Sequence, residues 1–431
     1  MKKGVPQEIT SILMNEEVIH PLQEENKYLG INQTTTTLTN KSKEELKDKY
    51  FERLEHLLKT KLSSKNTINA INMFCIPVIT YAASCLEWTE EELRTIDINT
   101  RKEITKHGLF HKNSCTLRLY VSRKKGGRGL LNVQNQIHKI IYCTKANISK
   151  RQSKDSLLSI INLENMHEAP QKDFYTEHLE KPLHGNFLKN MKFKDHSFTW
   201  LLKTNVRKDI EKTAFALQEQ AFPTAYYKNK IEKKNINPSC RLCKHLPETI
   251  SHLLSNCSVL AKKQYLKRHN AMGKYIYAEF CKRFLLPFDV KGEPPSVNEN
   301  KNTKILWDYT IKTYKNIPQN RPDMIYINKS EKTAIVIDFS NPWDANVEKK
   351  HSEKVSKYLC LAKEIRKLWK LGKISIQPIV VGCLGTCSKQ MANEIKTLKK
   401  QLKLNIHLCT LQKIVVEESV KMINSLPHLE Q

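Results

Sequence analysis

The apolar residues of this chain follow two different rhythms. From Lys43 to Leu62, "KEELKDKYFERLEHLLKTKL" repeats its apolar residues every three or four positions, which predicts an amphipathic helix. "NTINAINMFCIPVITYAASCLEW" is apolar throughout and interrupted by Pro77, which predicts two packed helices with a kink. "TEEELRTIDINTRKEITKHG" is a further amphipathic helix, with Thr89 as N-cap and Glu92 three residues on. "RLYVSRKKGGRGLLNV" departs from this pattern, combining a strand-like run, a Gly-Gly turn and five basic residues. Polar helical sequence then continues to about Ile236. "PFDVKGEPPSVNENKN" reads as a linker. After it the period shortens: "DMIYIN", "TAIVIDF" and "IQPIVVGCLG" read as Ile/Val-rich strands around one long helix at about 347–371. "IHLCTLQKIVVEESVKMINSL" reads as strand then helix. The expected fold class is multidomain α and α/β: a helical half, then a small α/β domain. No internal repeat is visible.

Charge adds a partner to this outline. The 431 residues carry 72 Lys and Arg against 44 Asp and Glu, a formal net charge of +28. An excess of this size points to polyphosphate, so nucleic acid is the leading expected partner and an anionic membrane surface the alternative. No apolar run approaches the ~20 residues that span a bilayer. The N-terminal stretch lacks the apolar core of a signal peptide. A nuclear or cytoplasmic protein is therefore expected, with its 12 cysteines reduced or bound to metal.

"CRLCKHLPETISHLLSNC" contains Cys240, Cys243, His252 and Cys257. A CxxC turn followed by a spaced His and Cys can close a tetrahedral zinc site, and four protein ligands make such a site structural. A chance cluster of buried thiols is the bland alternative. His245 is a substitute ligand with poorer spacing to Cys257. Just beyond, Lys267, Arg268 and His269 adjoin one another, as a phosphate contact or a solvated basic face.

The other constellation is "NRPDMIYINKSEKTAIVIDFSNPWD", with Asp323 and Asp338 separated by fourteen residues. "INKSEKT" reads as a hairpin turn. Residues near the start of one strand and the end of its partner lie close together, and two carboxylates there can hold Mg²⁺. With a metal-activated water this is phosphodiester-cleaving chemistry. The order PD…D matches the PD-(D/E)xK nuclease core, but Ser340 stands where that core has lysine. Lys354 and Lys357 lie one turn apart on the following helix, with Glu353 and Tyr358 beside them. By composition alone these lysines coat a solvated face, and Tyr358 serves equally as core.

Together these landmarks resemble the C-terminal portion of a non-LTR retrotransposon reverse transcriptase/endonuclease polyprotein. "NKYLGI" is similar to the end of its polymerase palm. The stretch from "KNTINAINMF" to "GGRGLLNV" resembles its thumb, and "LQEQAFPTAYYKNKI" its linker. The Cys, Cys, His and Cys match its zinc knuckle. "RPD", "IDFSNPWD", "EKVSKY" and "PIVVGCLG" resemble its restriction-like endonuclease. The resemblance implies a palm remnant over 1–40, a helical thumb-like domain over 41–150 and a helical linker over 151–235. It further implies a CCHC zinc knuckle with a basic helix over 236–285, a linker over 286–303 and a PD-(D/E)xK restriction-endonuclease-like α/β domain over 304–431. It also implies structural Zn²⁺, catalytic Mg²⁺ on Asp323 and Asp338, and a nuclease lysine on the helix. The expected partners are DNA and RNA, and the expected activity is nicking of one DNA strand. Phosphate contacts are expected at Arg123, Lys124, Lys125 and Arg128, with glycine allowing close approach. No Asp-Asp pair occurs in the sequence, so this chain is not expected to polymerise DNA by itself; a catalytically inactive binding remnant is the alternative.

Overall fold

The computed structural model describes residues 12–14, 17–19, 26–33, 39–155, 158, 173–314 and 316–427. They divide between two compact units. One lies within Met1–Leu62, Asn66–His107 and Leu130–Asp173; the other takes Ser63–Lys65, Gly108–Gly129 and Phe174 onward. The segment of the palm-like expectation over 1–40 is described only in part, as two short antiparallel hairpins. These are β1 (Ile12–Met14) with β2 (Glu17–Ile19), and β3 (Asn26–Tyr28) with β4 (Ile31–Gln33). Leu29 and Gly30 turn the second hairpin at positive φ.

The first unit is helical. Helix Thr39–Lys59 starts four residues before the expected Lys43. Across "NTINAINMFCIPVIT" the chain makes no break: Ile71–Cys75 form a π turn that leads into Ile76–Thr80. Pro77 cannot donate a helical hydrogen bond, and the wider turn just before it absorbs the missing donor. Helix Glu90–Lys106 has the expected capping box between Thr89 and Glu92. Asp97 is buried and accepts from the amides of Val133 (3.0 Å) and Gln134 (3.2 Å), so it caps helix Val133–Arg151. Burial pushes the Asp97 carboxyl above its ordinary range, against the pull of those amides.

The second unit is built on a five-stranded sheet of order β5-β6-β7-β8-β9. Its strands are β5 (Val297–Glu299), β6 (Thr303–Trp307), β7 (Met324–Asn328), β8 (Thr333–Ser340) and β9 (Lys373–Val380). The first four pair antiparallel; helix Val347–Leu368 then crosses over to lay β9 parallel to β8. Alternation divides the sheet residues between two cores. Met324, Tyr326, Ile337 and Phe339 pack with helix Leu266–Phe284, while Ile325, Ile327, Ala334 and Val336 pack under helix Val347–Leu368. Gly273 lets helix Leu266–Phe284 settle on the sheet, since a Cβ there would lie 2.7 Å from Trp307 and 2.8 Å from Phe339.

Three local expectations are corrected. The 286–303 segment is not a free linker: β5 forms the sheet edge, and buried Asn298 donates to Tyr277 Oη (2.6 Å) and the Pro287 carbonyl (2.7 Å). "RLYVSRKK" forms short helical turns at Leu117–Tyr120 and Arg123–Lys125 instead of a strand. Leu404 and Ile406 are buried in extended chain that pairs with no strand among the described residues before helix Leu408–Asn424.

The "RKKGGRG" expectation is corrected in part. Arg123 and Arg128 point inward and share one buried carboxylate. Arg123 Nη2 lies 2.5 Å from Glu211 Oε2, and Arg128 Nη1 3.2 Å from Glu211 Oε1. Arg128 also stacks 4.8 Å from the Phe215 ring centroid. The glycines answer to packing, since a Cβ on Gly126 would meet the Phe198 ring and one on Gly127 the Val121 carbonyl. Only Lys124 and Lys125 remain exposed, so the two arginines are structural and not phosphate contacts. Burial works to raise the Glu211 carboxyl, but the two guanidiniums outweigh it and hold it below its ordinary value. Glu211→Ala would strand two buried guanidiniums and is expected to cost about 3–5 kcal/mol. At roughly 2–4 °C per kcal/mol, that lowers Tm by about 10 °C in calorimetry, and a fall under about 2 °C would refute this role.

Candidate active site and metal centre

The candidate metal centre begins with a tight turn. Ser239 bridges Pro247, the Cys240 amide donates to the Leu246 carbonyl (2.7 Å), and Lys244 takes positive φ. Glu248 braces the turn, accepting from the Arg241 amide (2.9 Å) and the Arg241 guanidinium. Cys240 and Cys243 then meet His252 and Cys257, which flank the π turn His252–Asn256. All four are buried, and their ligand atoms lie within 4.8 Å of one another. Cys243 Sγ is 3.3 Å from His252 Nε2 and Cys240 Sγ 4.0 Å from Cys257 Sγ. Zn–S bonds of ~2.3 Å in a tetrahedron require sulfur separations of about 3.8 Å, so the cluster fits a metal such as zinc. The cluster also forms part of a core with Trp200, Leu253 and Leu254.

Two contacts carry the position of this turn onward. Tyr265 Oη accepts from the Cys257 amide (3.0 Å) and donates to the Leu253 carbonyl (2.9 Å). Buried Arg268 donates to the Leu254 carbonyl (2.9 Å), the Asn341 carbonyl (3.2 Å) and Ser419 Oγ (3.0 Å). Arg268 is thus buried and spends its donors inside the protein, which corrects its expected phosphate contact. Lys267 is exposed, 4.0 Å from Glu418. His269 turns toward the aspartates, with Nε2 3.1 Å from Asp323 Oδ2.

The two aspartates come together through strand register. Met324 on β7 faces Ile337 on β8, so the pairing continued by one residue sets Asp323 opposite Asp338. The Phe339 amide donates to Asp323 Oδ2 (2.6 Å). Alternation along β8 turns Asp338 to the same face as Val336, under helix Val347–Leu368. There Tyr358 donates to Asp338 Oδ1 (2.6 Å), and Lys354 Nζ lies 2.5 Å from Asp338 Oδ2. Lys357 is exposed and donates to the Tyr358 oxygen (2.9 Å), one step further out. Glu353 is exposed at the rim and paired with Lys350 (2.9 Å). Of the two candidate lysines, Lys354 is the one that reaches a carboxylate.

The electrostatics of the pair are unequal. Burial and the negative charge of Asp323 raise the Asp338 carboxyl, while Lys354 opposes them. Burial also acts to raise Asp323, but His269, the Phe339 amide and Lys354 outweigh it and hold Asp323 below its ordinary value. Partial burial acts to lower His269, but Asp323 outweighs it and holds the imidazole above its ordinary value. Burial and Asp338 push the Tyr358 hydroxyl upward.

The site opens on a cleft of about 630 Å³ whose lining includes Asp323, His269, Lys349, Lys350 and Lys354, with Asn256 and Tyr265 from the metal-centre side. His269 is the residue whose role the sequence did not reveal. It lies 54 positions from Asp323 in an unremarkable basic run, and no spacing rule connects them.

Scanning models of known protein families finds no match to this chain, and searching curated proteins finds no relative. Among the described residues, no helix is long and apolar enough to cross a membrane.

Proposed function

We propose that this chain is a nucleic-acid-binding protein whose second unit nicks DNA in a divalent-metal-dependent reaction. One observation carries the reading: Asp323 and Asp338 share the end of a sheet, Lys354 sits on Asp338, and Asp323 and Lys354 line a cationic cleft. The residues fit a divalent cation. Asp338 is buried beside the partly exposed Asp323, and the repulsion that helps raise Asp338 is what such a cation relieves. Asp323 and Asp338 would hold Mg²⁺, which when bound supplies a charge that stabilises the phosphate transition state and acidifies water. The protein's own groups do the rest. His269 and the Phe339 amide orient Asp323; Tyr358 orients Asp338. Lys354 brings positive charge to the same point, where a phosphodiester gains negative charge during cleavage. Lys349 and Lys350 attract the DNA backbone into the cleft.

The PD…D order, the helix-borne lysine and the Cys, Cys, His, Cys cluster support a restriction-like endonuclease of the non-LTR retrotransposon kind, acting on DNA and bound to RNA in the nucleus or cytoplasm. The reading includes structural zinc and no polymerase activity. A second reading, a binding protein without cleavage, draws on the fact that both Asp338 oxygens are already engaged. Plasmid assays separate them. Purified chain with Mg²⁺ is expected to convert supercoiled plasmid to nicked circles, and Asp323→Ala to lose at least about 10²-fold of that rate. Equal cutting by both proteins would overturn the nicking reading.

A further inference from the structure

A second cleft, of about 690 Å³, lies on the part of the sheet where β5, β6 and β7 meet the end of helix Val347–Leu368. Its floor is apolar and buried: Leu306, Ile311, Ile327 and Leu371. Two aromatic residues stand in its wall. Tyr309 is 41 % exposed, and Trp369 is half-buried against the core beneath. The rim carries five lysines, Lys304, Lys312, Lys329, Lys332 and Lys370, and the lining includes no carboxylate. Glu299 neutralises part of this charge, pairing with Lys304 (3.4 Å) and Lys329 (2.7 Å). Lys312, Lys332 and Lys370 are exposed and have no ion pair among the described residues.

Three exposed lysines without ion pairs stand around an apolar, aromatic-walled hollow, so positive charge and apolar surface lie side by side. Their mutual repulsion favours an anion, while the hollow favours a flat apolar group. One ligand chemistry supplies both: an unpaired base flanked by phosphates. The volume lies within the roughly 300–1,000 Å³ of small-ligand clefts. A duplex keeps its bases stacked inside and offers this hollow nothing but backbone, so the fit is to a single strand. We infer that this cleft binds single-stranded nucleic acid, with a base against Tyr309 and Trp369 and phosphates on Lys312, Lys332 and Lys370. The inference goes beyond the nicking reading and stands without it, because its readout is binding at residues separate from the aspartates.

The test uses the full chain and a fluorescein-labelled oligothymidylate 12-mer, followed by anisotropy over a salt series. The triple variant Lys312→Glu/Lys332→Glu/Lys370→Glu is expected to bind about tenfold more weakly. Its log–log salt slope should fall by about 2, since each single-strand phosphate contact contributes about 0.7. Tyr309→Ala is expected to weaken binding by about tenfold and Tyr309→Phe to leave it at wild-type strength. The titrations contain no added Mg²⁺ and read binding alone, so failure here and failure of the nicking reading are distinguishable. The site is refuted if the triple variant binds within about twofold of wild type. It is also refuted if a duplex loses as much affinity as the single strand, or if a polyglutamate peptide competes as well as the oligonucleotide does.

Discussion

Lys354→Met is expected to slow Mg²⁺-dependent nicking by about 10²–10³, the usual loss when one preorganised charge-stabilising group is removed from a site. Lys357→Met is expected to change it by less than about fivefold. The sequence offers the two lysines as equals, one turn apart on one face. The structure separates them by what they touch. Lys354 Nζ sits 2.5 Å from a carboxylate oxygen that is almost wholly shielded from water, where a positive charge is poorly screened. Lys357 reaches only the Tyr358 hydroxyl, and from an exposed position. Methionine preserves most of the apolar stem, so a change in Tm below about 3 °C would assign the lost rate to charge and not to packing. Similar losses in both variants, or a larger loss at Lys357, would remove Lys354 from the site.

The second large effect concerns the four buried side chains of the candidate metal centre, Cys240, Cys243, His252 and Cys257. Purified chain is expected to contain one zinc per molecule by elemental analysis, and stripping it with a strong chelator should lower Tm by at least about 10 °C. Cys257→Ser should do the same without a chelator. Structural zinc contributes folding energy directly, with apparent binding free energies of about 10–16 kcal/mol in small peptides. Here the ligands are part of the core that includes Trp200, Leu253 and Leu254, so the loss reaches beyond the turn itself. Nicking should fall in parallel. The carbonyls of Leu253 and Leu254 are held by Tyr265 and Arg268, which precede His269, and His269 holds Asp323. A chain that copurifies without zinc and shows the same Tm with and without chelator would show that the cluster is only a set of packed thiols.

The structure retains some sequence signals and reassigns others. The Thr89–Glu92 capping box forms as its three-residue spacing requires. The two aspartates become neighbours because a hairpin register depends on positions two residues apart, which can be counted. By contrast, four basic residues in "RKKGGRG" look alike in composition, yet two of them are buried around Glu211, almost ninety positions away. An arginine's sequence neighbours do not reveal a distant buried carboxylate. The same applies to Arg268, whose partners Asn341 and Ser419 belong to a loop and a helix far along the chain.

The sequence by itself determined what local geometry determines: the helical and strand periods, the spacing of Cys240, Cys243, His252 and Cys257, and the pairing of Asp323 with Asp338. Those follow from the rise and twist of elements a few residues long. Tertiary structure decided which charges face water and which face each other. It chose Lys354 over Lys357, brought His269 to Asp323, turned Arg123 and Arg128 inward, and made the supposed linker a sheet edge. These outcomes depend on packing between segments up to almost ninety residues apart. There the cost of burying an unpaired charge selects one arrangement, and no periodicity records it.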